Sequence, residues 1–439
     1  MSFGFNRIRN LAFWFIDTLK GGNVRDYYIN LKEIEEADSD SPLIKEKQKK
    51  AIEQLVKHAI STTKYYKSNY TNRSFDQFPI INKNIIRSQQ KDFISESYKN
   101  TKLITMQTSG STGTPFICYQ NPEKKKRVIA ELIYYNEKLG YFVGKNLIFL
   151  RSLSAESSNS KKILRFLQNQ TLINVSELDD EVIEKMLREV ERKSANGSVL
   201  MSYASTLDAF RDYFMRTDKK YNFNISGIIS GSEMLYDETR DVMEKVFKCK
   251  CVSRYSNQEN GILGQDNIEN NTFLINEAHY FIEIFKMDKD IPAEPGEVGR
   301  IVITDLYNYA MPMIRYDTGD IGAIKYIEVN SVKKKVIYNF GGRKIDMVYT
   351  VDGTILSPHK ISVTFWSFSD IKQFQFLQLG PQEYQVILNV EPTFKEEIKV
   401  AEKLYNLLGK SAVITFSYVN DIPALSSGKR KYIMNKWEK

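Results

Sequence analysis

Apolar positions between residues 146 and 254 alternate between short continuous runs and stretches with helical spacing. NLIFL (146–150), VLMS (199–202) and ISGIIS (225–230) read as buried strands. Val182, Ile183, Met186, Leu187 and Val190 recur every three or four residues and predict a helix, and 236–247 predicts another before a strand ending at Arg254. Such alternation builds βαβ units around a parallel sheet, whose ligands bind beyond the carboxyl ends of the strands. Two polar motifs fall at those ends, Gly231-Ser232-Glu233 and YSNQENG (255–261).

From Pro292 the pattern changes. A Pro-Ala-Glu-Pro-Gly-Glu turn is followed by 298–304 and 323–338, which read as short strands with polar connections. The glycines near Gly341 mark a boundary before a compact α+β segment, so the predicted division is 1–341 and 342–439. Internal repeats are absent from the sequence. Near the N-terminus Leu11-Ala12-Phe13-Trp14-Phe15-Ile16 follows Arg7 and Arg9, but the run is short, Asp17 interrupts it and no small-residue cleavage site follows. It reads as a helix packing on the domain surface, with shallow membrane contact as the alternative.

Composition narrows the class. At 439 residues, with 42% hydrophobic and 26% charged, the chain is expected to be soluble, folded and divided into two or three domains, without stable membrane insertion. Three cysteines predict a reducing, cytoplasmic compartment. Cys249, Cys251 and His279 supply too few ligands for zinc, and buried thiols are the simpler reading. The net charge of +8 suits attraction of an anionic ligand, whereas Lys124-Lys125-Lys126 and Lys333-Lys334-Lys335 read as solvated surface. Aromatics are not interleaved with this charge, so no nucleic-acid partner is expected. The sequence leaves the oligomeric state open.

Candidate chemistry starts in TMQTSGSTGTPF (105–116). Of the eight residues from Thr108 to Pro115, all but the proline are Thr, Ser or Gly, offering backbone N–H groups and hydroxyls to an anion. Taken alone this is equally a flexible polar linker, and without Gly-Lys-Ser/Thr it is not a Walker A loop. GSE (231–233), YSNQENG, RYDTGDIG (315–322), GGRKIDMV (341–348) and SSGKRKY (426–432) follow in order. Together they resemble the ANL superfamily of adenylate-forming enzymes, and within it the CapK-type branch of the phenylacetate-CoA ligase family, associated with surface polysaccharides.

The resemblance implies an α/β fold: a large N-terminal domain with parallel α/β sheets and a β-rich part, a hinge near Arg343, and a small mobile α+β C-terminal domain. It implies an AMP-forming ligase using ATP, Mg²⁺ and CoA on a small carboxylic acid. Thr108, Ser109, Gly110, Ser111, Thr112 and Gly113 correspond to the loop around the β- and γ-phosphates, and Glu259 to the Mg²⁺-binding glutamate. Ser232, Glu233 and Tyr255 match positions around adenine, and Asp320 the aspartate that holds the ribose hydroxyls. Arg343 matches an arginine near ribose and phosphates, and Lys429 the adenylation lysine. Read without the resemblance, Asp320 is a turn aspartate, Arg343 a solvated arginine, Lys429 part of a basic tail and Glu259 an exposed loop carboxylate.

Two departures qualify what the resemblance implies. Ile345 stands where relatives carry Asp or Lys after the hinge arginine, with Asp346 next, which bears on the second-step rotation. The stretch 147–173 lacks a glycine- and aromatic-rich loop, arguing against phenylacetate as substrate. An amine acceptor, or a non-catalytic nucleotide-binding role, remain as alternatives to CoA ligation.

Overall fold

The structure is a computed structural model that describes residues 2–70, 73–108, 116–151, 159–175, 178–343, 347–356, 358–368, 370–423 and 431–437. The chain divides into two compact units, one of residues 1–318 and 322–340, the other of 319–321 and 341–439.

In the large unit, strands β1 (Ile104–Thr108) and β2 (Phe116–Gln120) form a separate antiparallel hairpin, with Thr108 opposite Phe116. An eleven-stranded sheet follows, from β3 (Asn146–Leu150), β4 (Gln170–Ile173), β5 (Ser198–Tyr203), β6 (Ile225–Gly231) and β7 (Lys250–Asn257) to β8 (Gly261–Glu269) and β9 (Thr272–Ile275). It is completed by β10 (Tyr280–Phe285), β11 (Gly299–Asp305), β12 (Tyr316–Val329) and β13 (Val332–Arg343), in the order β10-β11-β12-β13-β9-β8-β7-β6-β5-β3-β4. From β4 to β7 neighbours are parallel; at β7–β8 pairing becomes antiparallel.

Local chemistry explains why the parallel half forms as read. The helix Asp180–Ser194 is capped by Asp179, whose side chain accepts from Val182 N, and carries acids in its first turn and Arg192 and Lys193 in its last. Ile183, Met186, Leu187 and Val190 are buried, and they pack with Leu200, Phe210 and Ile228 in one core.

Two expectations need revision. Strand β7 does not end at Arg254 but runs to Asn257, where it pairs with Gly261 of β8, so Tyr255 lies inside a strand and only 258–260 form the turn. The predicted short strands after Pro292 are partly long ones, because Asn330 and Ser331 both adopt positive φ (50° and 62°) and join β12 to β13 through a two-residue turn.

The small unit is a four-stranded sheet, β18 (Val413–Tyr418), β17 (Glu383–Val390), β16 (Ile371–Gln378) and β19 (Ile433–Asn435), preceded by the short pair β14 (Val348–Tyr349) and β15 (Ile355–Leu356). The helices Pro358–Trp366 and Glu397–Leu408 share its core, where Phe374, Phe376, Val386, Leu388, Val400 and Leu404 are buried.

Candidate active site

The turn after β7 is held from several directions. Glu259 is 1% exposed. Its Oε1 accepts a hydrogen bond from Tyr316 Oη at 2.8 Å and lies 2.9 Å from Lys83 Nζ, while its backbone carbonyl accepts from Gln120 Nε2 at 3.0 Å. Tyr316 is the first residue of β12, and Lys83 opens the helix Lys83–Ser88, whose N-cap Asn82 accepts from Asn84 N and Ile85 N. The Lys83 ammonium also sits 5.7 Å from the centre of the Phe116 ring, at the far side of the polar loop. Glu259, Lys83 and the two ends of that loop are thus brought together by residues distant in sequence.

Next to Glu259, Asn260 is fully buried, yet neither Oδ1 nor Nδ2 has a hydrogen-bond partner among the described residues. Gly261 has φ 137°, and a Cβ there would lie 2.5 Å from Glu131 Oε2 and 2.7 Å from Tyr280 Oη, so only glycine fits. Beneath the turn lies a buried ionic network. Lys124 Nζ is 2.8 Å from Asp305 Oδ2 and donates to Tyr280 Oη at 2.9 Å. Tyr280 Oη lies 3.0 Å from Glu131 Oε1 and 2.9 Å from the Asn260 carbonyl, and Glu131 Oε2 accepts from Ile262 N.

His279 Nδ1 approaches Glu131 Oε1 at 2.7 Å. Burial pushes the His279 pKa down against the pull of Glu131, so the ring is neutral and Nδ1–H is the donor. Burial alone would raise the Glu131 carboxyl; the Lys124 charge and the His279 N–H hold it below the usual carboxylate range. This corrects one expectation: Lys124 is fully buried rather than solvated, and beside it His279 is committed to Glu131. Lys334, also read as surface, is buried and caps the helix Asn23–Glu36 through the carbonyls of Glu35 and Ala37, each at 2.5 Å.

The other sequence-nominated residues are placed as follows. Ser232 follows β6 in a left-handed conformation (φ 71°). Glu233 Oε2 accepts from Ser205 N at 3.0 Å in the first turn of the helix Ala204–Arg216, where a negative group complements the helix dipole. Tyr255 is packed against Phe273 and Phe340, with its hydroxyl 3.4 Å from Thr318 Oγ1. Asp320 lies on β12 in the segment 319–321 that groups with the small unit, and Arg343 ends the neighbouring β13. Thr108 ends β1; Ser109, Gly110, Ser111, Thr112, Gly113, Ile345 and Lys429 lie outside the described residues.

In the RYDTGDIG motif, Arg315 makes a two-point contact with Glu283 (3.2 and 2.7 Å) and donates to the carbonyls of Asp76 and Phe78, and Asp317 pairs with Arg300 at 3.0 Å. These two residues anchor the strand. Tyr316 and Lys83 are site residues that sequence reading missed. The signals available in the sequence were the place of Tyr316 inside RYDTGDIG and the Asn82 cap before Lys83.

The fold matches solved adenylate-forming ligases. A 2-hydroxyisobutyryl-CoA ligase in the postadenylation state with an acyl-AMP superposes with TM-score 0.69 at 13% identity, covering 91% of each chain. An anthranilate CoA ligase in complex with anthranoyl-AMP superposes with TM-score 0.52 at 13% identity over 74% of this chain and 64% of that one. Among curated proteins, Protein CapK of Staphylococcus aureus is 23% identical over 437 residues, covering 95% of this chain and 94% of that protein. A phenylacetate-coenzyme A ligase of Thermus thermophilus is 25% identical over 141 residues, 31% of this chain and 29% of the enzyme. Residues 348–436 match the family described as the CapK C-terminal domain. The chain thus has the fold of solved adenylate-forming ligases. Its sequence is similar to Protein CapK along nearly its whole length, and its C-terminal part matches the CapK C-terminal domain.

Proposed function

We propose that this protein is a cytoplasmic, Mg-ATP-dependent, AMP-forming ligase that activates a small carboxylic acid and passes the acyl group to CoA, in surface-polysaccharide or related biosynthesis. The observation that carries the reading is the buried Glu259, held by Lys83 and Tyr316 beside the ends of the Ser/Thr/Gly loop. Carboxylate oxygen attacks the α-phosphorus, the bond to the bridging oxygen breaks and pyrophosphate leaves. The acceptor then attacks the acyl carbon and AMP leaves. Each step places new negative charge on oxygen, which fixed cations and N–H groups must offset.

The donor set at Glu259 fits a magnesium ion: Oε1 is taken by Tyr316 and Lys83, and Oε2 makes no hydrogen bond among the described residues. One carboxylate together with phosphate oxygens and water is how Mg²⁺ is commonly held. When bound, the ion would neutralise the triphosphate. In this reading Thr108 and Ser109 to Gly113 hold the β- and γ-phosphates, Ser232, Glu233 and Tyr255 shape the adenine pocket, Asp320 takes the ribose hydroxyls, and Arg343 and Lys429 stabilise charge at the phosphates. Packing of Tyr255 against Phe273 and Phe340 favours a role as pocket wall rather than as a free stacking surface. An amine acceptor, giving an amide, uses the same first half-reaction.

The test is acid-dependent pyrophosphate release, screened over carboxylic and amino acids. Lys429→Ala should lower it by more than about a hundredfold, yet leave consumption of a supplied acyl adenylate by its acceptor intact. Glu259→Gln should shift the magnesium dependence upward. A chain that binds ATP but releases no pyrophosphate with any acid would be a nucleotide-binding relative instead.

A further inference from the structure

The first helix, Ser2–Leu19, leaves most of its large apolar side chains outside the protein. Phe5, Ile8, Leu11, Phe15, Ile16 and Leu19 are between 48% and 71% exposed. At 100° per residue they fall within an arc of about 140°. Asn6, Asn10 and Asp17 face the protein, with Phe13 and Trp14 partly buried: Asn6 and Asp17 are buried, Asn10 Nδ2 donates to the Val143 carbonyl at 3.0 Å, and Asp17 accepts from Val24 N and Arg25 N at the start of the next helix. The mounting is fixed, since a Cβ at Gly144 would sit 2.4 Å from the Asn6 carbonyl oxygen, a contact only glycine allows. Asn169 Nδ2 also donates to Asn6 Oδ1 at 3.2 Å.

This arc does not stand alone. The helix Asn159–Leu167 lies beside it, with Arg9 Nη2 donating to the Phe166 carbonyl and the Arg9 guanidinium 5.7 Å from the Phe166 ring centre. That helix exposes Ile163, Leu164, Phe166 and Leu167 by 52% to 72%. Two neighbouring helices therefore present apolar side chains to solvent, which single scattered residues would not explain. The charge around them has one sign. Arg7, Lys20 and Lys162 are exposed and Arg9 is half-exposed, whereas the sole acid in the first helix, Asp17, is turned inward and Asn159–Leu167 has none.

We infer that these two helices form a docking surface for an anionic lipid bilayer, with the first helix lying in the interfacial plane. Apolar side chains would enter the acyl boundary and the flanking cations would meet lipid phosphates. The charge pattern favours this occupant over a second copy of the chain, because a symmetric contact through the same face would set its cations against each other. Spanning is not involved: among the described residues no helix is long and apolar enough to cross a membrane. The inference is independent of the ligase reading.

Sedimentation of the full chain with vesicles tests it. The protein should pellet with mixed phosphatidylcholine and phosphatidylglycerol vesicles at low salt, be released by high salt, and remain in the supernatant with phosphatidylcholine alone. Ile8→Glu with Phe15→Glu should weaken binding by more than about tenfold at an unchanged melting temperature, since both side chains are exposed. Arg7→Gln with Lys20→Gln should reduce the preference for anionic vesicles. Equal binding to neutral vesicles, no binding to either, or full binding by the double glutamate variant would overturn the inference. So would light scattering that shows a dimer dissociated by Ile8→Glu and Phe15→Glu, which would give the face to a second copy.

Discussion

The large and small units bury different kinds of side chain. Beneath the Glu259 turn the large unit encloses Lys124, Asp305, Glu131 and His279, all without solvent exposure, and elsewhere it buries the pair Arg240–Asp266. The small unit's core is apolar and aromatic, and its ion pairs among the described residues, such as Lys372–Glu391 and Lys399–Glu396, are exposed. Buried charge is a costly way to stabilise a fold, because desolvation offsets most of the attraction. Its presence under one turn points to positioning: Tyr280 and Glu131 together fix the Asn260 carbonyl and the Ile262 N–H, and so the backbone that carries Glu259. Among the described residues, the small unit carries no comparable buried ionic network.

The sharpest way to break this contrast is Lys124→Met. Removing the cation leaves Asp305 and Glu131 facing each other's charge in a dry interior, so the large unit should lose about 4–5 kcal/mol of stability. Hydrogen exchange should accelerate in 122–137 and 259–285 and remain unchanged in 371–390. Uniform acceleration through both units would show that they do not unfold separately.

Phe376→Ala is the counterpart in the small unit. Phe376 is fully buried in β16, 5.6 Å from the Tyr384 ring, and its truncation should cost about 3–4 kcal/mol. Exchange should rise in 371–390 while 259–285 stays protected. If the large unit loosened as well, the apolar core of the small unit would have to be regarded as support for both.

What could be read in advance follows the same division. The helix Asp180–Ser194 was legible because its cap, end charges and buried stripe all lie within one local stretch. The extension of β7 to Asn257 was not: Ser256 and Asn257 are weak strand formers, held there by β8, which follows the turn. Lysines 124 and 334 were misread as surface because a lysine run looks solvated wherever its partners are far away in sequence, and Asp305 and the carbonyl of Glu35 are such partners. The same distance hid Lys83 and Tyr316 from the Glu259 motif. For the first helix, the sequence showed the apolar run but not which arc met the protein; that depended on Asn6, Asn10 and Asp17 finding partners inward.

A smaller effect sharpens the comparison through pH. Asp208 is buried in the large unit, accepts from Thr239 Oγ1 at 2.5 Å, and has Arg211 3.8 Å away. Burial pushes its carboxyl up to about 7, against Arg211 and Thr239. An acid whose folded pKa lies above its unfolded value takes up a proton on folding, so the folded state is favoured at low pH. Its contribution falls as pH rises from about 4 to about 7 and is level above that. Asp208→Asn, which keeps the shape and cannot ionise, should flatten this slope and leave the variant about 1–3 kcal/mol less sensitive to pH across the interval. Urea titrations at several pH values, read by exchange in 204–216, measure it. A slope retained in the variant would move the proton uptake to another buried acid. A slope of opposite sign would mean that Arg211 keeps Asp208 ionised, making it one more member of the large unit's buried ion pairs.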